Sequence, residues 1–153
     1  MKFFGKTGAS VTVAAVAVTG FLAATMAPAL ATPQFQIYTA SSGVKTPAAL
    51  IGPNGEKPTE WGVVAVPLDS SALSRTPMAS ESVGGGTWSY GTSTTTSGQK
   101  RCYSNYIHPT KKHSASIAIA SQTDKDIREK DIWAKAAGVA GPAHTCYTYW
   151  GKY

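Results

Sequence analysis

Carboxylates are scarce in this chain, with eight Asp and Glu in 153 residues against fourteen Lys and Arg. Charged residues make up only 14% of the total, which excludes both an acidic disordered tail and a long charged coiled coil. There is no Walker loop, no GxGxxG, no GxSxG and no HExxH, so the common nucleotide, hydrolase and metalloprotease signatures are missing. The length leaves room for one small domain and rules out a large multidomain enzyme. Beyond the N-terminus, no stretch approaches the roughly 20 apolar residues that a membrane span requires.

What is present is a cationic balance: a formal charge of +6 favours anionic partners such as wall polymers, lipid headgroups, pyrophosphates or nucleic acid. Charge alone does not choose among them.

The N-terminus reads as an address. Lys2 and Lys6 precede an apolar stretch diluted by Ser10, Thr12 and Thr19, and the small-x-small pattern at Ala29 and Ala31 ends it. Residues 1–31 are therefore expected to be a secretory signal peptide cleaved before Thr32, with a membrane anchor as the alternative. No twin Arg is present, so export as an unfolded chain is expected. The exported chain keeps twelve basic and eight acidic residues and so remains cationic at +4.

Residues 32–83 form a Pro-rich spacer or pro-segment in this reading. Pro33, Pro47, Pro53, Pro58, Pro67 and Pro77 recur among Ala, Ser, Thr and Gly, which makes a packed core unexpected there. One short strand over 61–67 and docking of the segment on the C-terminal domain are the alternatives to a disordered linker. Gly84, Gly85 and Gly86 mark its end.

From residue 84 the texture changes to clustered aromatics and spaced turn residues. Tyr103, Tyr106 and Ile107 give a strand; His108, Pro109, Thr110 and the two lysines after them read as a turn. Ala115, Ile117 and Ile119 then alternate with small residues, a period of two that puts them on one face. Together these predict a hairpin with a basic tip. Tyr103 and Asn105 share one face and Tyr106 and His108 the other, so only one pair can point inward. Propensity over 124–137, with an Asp cap and Gly138 as a stop, predicts a helix. The aromatic alternation at 145–150 predicts a strand.

Five fragments carry a family resemblance: Gly86-Thr-Trp88 with Tyr90-Gly91, Tyr103-Ser-Asn-Tyr106-x-His108, Lys111-x-His113-Ser-Ala115, Trp133-Ala-Lys-Ala136 and Tyr147-x-Tyr-Trp150. In order and spacing they resemble the lactococcin 972 family of secreted bacteriocins, over residues 84–153. The resemblance implies an all-β fold, a small antiparallel β-sandwich of two three-stranded sheets. It turns 131–136 into a strand rather than a helix, with the others near 87–90, 94–97, 102–108, 113–121 and 145–150. It also implies a non-enzymatic antibacterial function: binding of the wall precursor lipid II and a block of septum formation. This chain departs from the founding member in its Pro-rich insertion and its two cysteines.

Those cysteines, Cys102 and Cys146, lie in an exported domain too small for a generous core, so a disulfide is expected, stabilising by about 4 kcal/mol in the chain-entropy model. Pairing would make the strands carrying them neighbours. Zinc held by Cys102, His108, His113, His144 and Cys146, and free thiols, are the alternatives; the spacings are not those of a compact finger. No metal and no cofactor are expected.

His108 and His113, with Lys111 and Lys112 between them, could supply acid, base and phosphate clamp in a small secreted hydrolase. The domain's carboxylates, however, lie in one charged run, Asp124, Asp126, Glu129 and Asp131, alternating with Lys and Arg as solvated faces do. Binding is the better reading. Trp88, Tyr106, Trp133 and Trp150, with other aromatics, would divide between core and an amphipathic surface. Lys100, Arg101, Lys111 and Lys112 would gather at the hairpin to grip a pyrophosphate, beside His108 and His113. With the resemblance, the expected partner is lipid II on target bacteria, with no nucleic acid, peripheral contact with the membrane surface, and a homodimer as an option; a non-toxic envelope protein-binding module is the remaining rival. The sequence names no immunity or transport partner.

Overall fold

The computed structural model describes residues 35–66 and 79–153. The expected signal peptide and its cleavage point lie outside the described residues. Among the described residues, nine strands form two antiparallel sheets: β1 (Phe35–Thr39), β2 (Glu60–Val66), β3 (Ala79–Val83), β4 (Gly86–Thr94), β5 (Lys100–Ile107), β6 (His113–Ile119), β7 (Gln122–Arg128), β8 (Ala134–Ala140) and β9 (Cys146–Lys152). Sheet A has the order β1-β2-β9-β6-β7, and sheet B the order β3-β4-β5-β8. The fold is the all-β sandwich that the resemblance implies. From residue 86 onward each sheet holds three strands, β9-β6-β7 and β4-β5-β8; the preceding residues add β1 and β2 at one edge of sheet A and β3 at one edge of sheet B.

Alternation decides which side chains fill the interior. Ala115, Ile117 and Ile119 of β6 face Trp88 and Tyr106 of sheet B and Trp150 of β9, all of them buried. The polar tips of the Trp88 and Tyr106 side chains are satisfied, as burial requires. The Trp88 indole donates to Ser104 Oγ at 2.8 Å, Ser104 donates onward to the Tyr149 carbonyl at 2.8 Å, and the Tyr106 hydroxyl donates to the Val83 carbonyl at 2.9 Å. Of the two pairs on β5, Tyr106 and His108 are the inward one.

A disulfide joins Cys102 of β5 to Cys146 of β9, with their Cα atoms 5.7 Å apart. The two strands are neighbours across the sandwich, one in each sheet, so the bond staples sheet B to sheet A.

Several sequence expectations need correction. Residues 108–112 are not the tip of a hairpin: β5 pairs with β4 and β8, β6 with β7 and β9, so this turn crosses between sheets. The strand expected at 94–97 is not a separate one: Thr94 ends β4 and residues 95–99 form the turn to β5, while the strand expected at 131–136 begins at Ala134. The helix that propensity favours over 124–137 is absent, because strand β7 takes its first half. The reason lies in its acids: Asp124 Oδ2 accepts from the Ala137 amide at 2.9 Å and Asp126 Oδ2 from the Lys135 amide at 3.0 Å. Acids two positions apart on β7 thereby cap amides two positions apart on the free edge of β8, which an α-helical 124–137 could not do.

The described part of the Pro-rich region is also more than a linker. Leu50, Trp61, Val64 and Val66 are buried, and β2 lies in full register against β9, from Glu60 opposite Lys152 to Val66 opposite Cys146. Its described prolines, Pro47, Pro53 and Pro58, all sit in the connection from β1 to β2, where no ladder amide is needed. Gly84 and Gly85 do not end a spacer but make the two-residue turn of the β3–β4 hairpin, both at positive φ (57° and 86°), which glycine adopts without steric cost.

Candidate binding surface

One end of the sandwich brings an exposed aromatic side chain, Trp133, together with polar groups from three connections. It is built by the β3–β4 turn, the crossover from β5 to β6 and the connection from β7 to β8. Between them opens a pocket of about 490 Å³, lined by Ser82, Gly85, Gly86, Thr87, Ile107, Pro109 and Asp131. The same 129–133 connection that supplies Asp131 carries two exposed apolar side chains, Ile132 and Trp133, at 51% and 39% exposure.

The two histidines lie beneath this end and hold it together. His108 is buried, and its Nδ1 accepts from the amides of Thr110 at 3.1 Å and Lys111 at 3.0 Å, shaping the crossover. That leaves Nε2 as the protonated nitrogen, donating to the Gly84 carbonyl at 3.1 Å in the β3–β4 turn. Burial holds the His108 pKa below its ordinary value; the bond to Gly84 opposes this, and the nearby charges of Lys152, His113 and Lys111 add to it. His113 is fully buried, with Nδ1 2.9 Å from the Lys111 carbonyl and Nε2 2.8 Å from the Ile132 carbonyl. It thus bridges the crossover to the connection that bears Ile132 and Trp133. All four ring nitrogens are engaged with backbone groups.

The basic cluster expected from the sequence does not assemble. Lys100 and Arg101 begin β5 and Lys111 and Lys112 follow its far end, so about 23 Å of strand separates the pairs at ~3.3 Å per residue. Lys100 donates to the His144 carbonyl at 3.0 Å, and Arg101 lies over the Tyr103 ring at 5.9 Å. Lys112 pairs with Glu56 at 2.9 Å, a contact that lowers the Glu56 pKa and raises that of Lys112. Lys111 is exposed and makes no ion pair among the described residues.

Of the ten ligand candidates, Trp88, Tyr106, His113 and Trp150 have no exposed surface and His108 only 5%, so these five offer no face to a ligand. Trp133 and Lys111 stand exposed at the pocket end; Lys112 belongs to that end but is paired. Sequence reasoning passes over Ser82, Thr87, Ile107, Pro109 and Ile132, and it takes in Asp131, at φ 65°, only as part of a charged run. With both sulfurs in the disulfide, the zinc set considered from the sequence loses its thiolates, and among the described residues no three potential ligands gather.

No helix among the described residues is long and apolar enough to cross a membrane. No curated protein and no solved structure matches the chain. A family model described as Bacteriocin (Lactococcin_972) matches residues 84–150. That span runs from the β3–β4 turn to Trp150 of β9; it includes both cysteines and both buried histidines and leaves β1, β2 and β3 outside. The three-plus-three sandwich that begins at this turn is thus the part of the chain that matches the lactococcin 972 bacteriocin family, as the motif order in the sequence implies.

Proposed function

We propose that the chain is a secreted antibacterial protein that acts without enzymatic turnover on the envelope of competing bacteria, by binding the wall precursor lipid II and blocking septum formation. The family match over residues 84–150 is the observation that carries this reading. The N-terminal sequence supports export, and the disulfide suits an oxidising destination.

The surface that supports it best is the pocket end. Hydroxyls of Ser82 and Thr87 and the Asp131 carboxylate offer hydrogen bonds of the kind sugars use. Trp133 offers a face for a sugar ring or for the bilayer interface, and Lys111 a charge for a phosphate. Occupation of the precursor would then stall septal wall synthesis without lysis. The backbone engagement of His108 and His113 favours a scaffolding use over a hydrolytic one.

The test is killing by the purified exported chain, residues 32–153, challenged with added lipid II. Antagonism by the lipid is the expected result. Killing that is indifferent to lipid II removes the receptor, and absence of killing in a zone-of-inhibition assay removes the bacteriocin activity itself.

A further inference from the structure

The outer face of sheet A is built unlike a surface and unlike a core. Ser114, Ser116 and Gly151 stand there, small or polar, and the two serines are fully buried beneath residues 48–58 of the connection between β1 and β2. Leu50 and Pro58 of that connection pack onto Gly151; a Cβ at position 151 would lie 3.3 Å from each and 2.9 Å from Ser114 Oγ.

The matched domain and the residues just after it grip this cover mainly by its backbone. The Tyr153 hydroxyl donates to the Leu50 carbonyl at 2.6 Å, and Lys125 Nζ donates to the Ile51 carbonyl. Lys112 takes the Glu56 carboxylate. The cover itself is a tight turn: the Gly52 amide donates to the Glu56 carbonyl at 2.8 Å, and the Gly55 amide to the Gly52 carbonyl at 3.0 Å. The fit is incomplete, since Ser116 Oγ and Glu56 Oε2 are buried without a hydrogen-bond partner. Residues 48–58 also lie wholly outside the family match.

Two side chains that hold carbonyls, one cation that holds a carboxylate, and a glycine that admits an apolar side chain amount to a peptide-recognition surface. We propose that the outer face of sheet A binds a tight acidic turn of another protein, of the form apolar residue, Pro-Asn-Gly turn, carboxylate, and that residues 48–58 are its resident ligand in cis. The Pro-Asn-Gly element presets the turn and so lowers the ordering cost of such a partner.

The test uses the exported chain carrying Leu50→Ser with Glu56→Gln, which weakens the cover and leaves the surface intact. The probe is a fluorescent peptide of residues 46–60. Amide exchange at Gly52 is expected to accelerate at least tenfold, and the peptide to bind at least tenfold more tightly than to the unaltered chain. Adding Lys112→Ala and Lys125→Ala should return binding to the unaltered level, and dimers formed by exchanged covers would support the same surface. Retained protection of Gly52, failure of a loosened chain to take the peptide, or equal binding by the unaltered chain would each overturn the proposal. So would loss of cooperative unfolding in the double variant, because the cover would then be part of the core; Glu56→Gln alone, which spares Leu50, should still raise peptide binding about threefold. None of these readouts involves killing.

Discussion

A side chain at Gly62 would run into the indole nitrogen of Trp150, its register partner on the neighbouring strand. β2 can therefore lie beside β9 only because position 62 has no Cβ. Gly62→Ala should cost on the order of 1–3 kcal/mol, as overpacking of a close-packed interior does, and should shift the guanidinium midpoint down accordingly. An unchanged midpoint would mean that β2 contributes nothing to the stability of the sandwich.

The Cys102–Cys146 bond closes a separation of 44 residues and crosses from one sheet to the other. Removing it by Cys102→Ala with Cys146→Ala should destabilise the sandwich by roughly 4 kcal/mol, less whatever structure the unfolded chain retains. Denaturation of the native chain with and without reductant should give the same difference.

The carboxylates of Asp124 and Asp126 cap the edge amides of Ala137 and Lys135. Each Asp→Ala change should cost about 1–2 kcal/mol and raise hydrogen exchange at the capped amide specifically, residue 137 for Asp124 and residue 135 for Asp126. Uniform acceleration along β8 would instead indicate general loosening. The double variant also bares an edge strand, so light scattering should rise on concentration.

His108 has a lowered pKa in the folded state, chiefly through burial. The unfolded chain then takes up this proton first as pH falls, so its contribution to stability is present above the ordinary histidine range, near 6.5, and is lost as pH falls toward the lower folded value. His108→Asn keeps an acceptor for the Thr110 and Lys111 amides and removes the titration. Its unfolding free energy should vary less between pH 7 and pH 5 than that of the unaltered chain. Equal slopes in urea titrations across that range would assign the pH dependence elsewhere.

At the pocket end, Trp133→Ala and Lys111→Ala should leave the unfolding midpoint nearly unchanged, because both side chains are exposed, and should reduce killing at least tenfold together. Trp88→Ala is the contrast: full burial puts its cost at about 3–5 kcal/mol and abolishes activity through unfolding. Full killing by the exposed pair of variants would move the functional surface away from this end.

Much of the sandwich is legible in the sequence because its strands obey a local rule. Alternation in Ala115, Ile117 and Ile119 places β6, the aromatic run places β9, and the motif order supplies the three-plus-three plan. β7 is not legible from alternation, since the run beginning at Asp124 is stabilised by where its carboxylates reach on β8, a relation between residues 9 to 13 apart in sequence. Likewise, nothing local in Trp61, Val64 or Val66 says that they will lie against a strand that comes about 80 residues later. The pairing of charges is equally non-local: Lys112 stands beside Lys111 in the sequence, but its partner is Glu56.

Strand β9 emerges after every other strand in the order of synthesis, yet it sits at the middle of sheet A, between β2 and β6. Until residues 146–152 leave the ribosome, the two flanking strands have nothing to join them and Cys102 has no partner. Closure of the sandwich, and with it the Cys102–Cys146 bond, therefore waits for the last strand to be made, so folding of the whole sandwich is a step that follows synthesis rather than accompanies it.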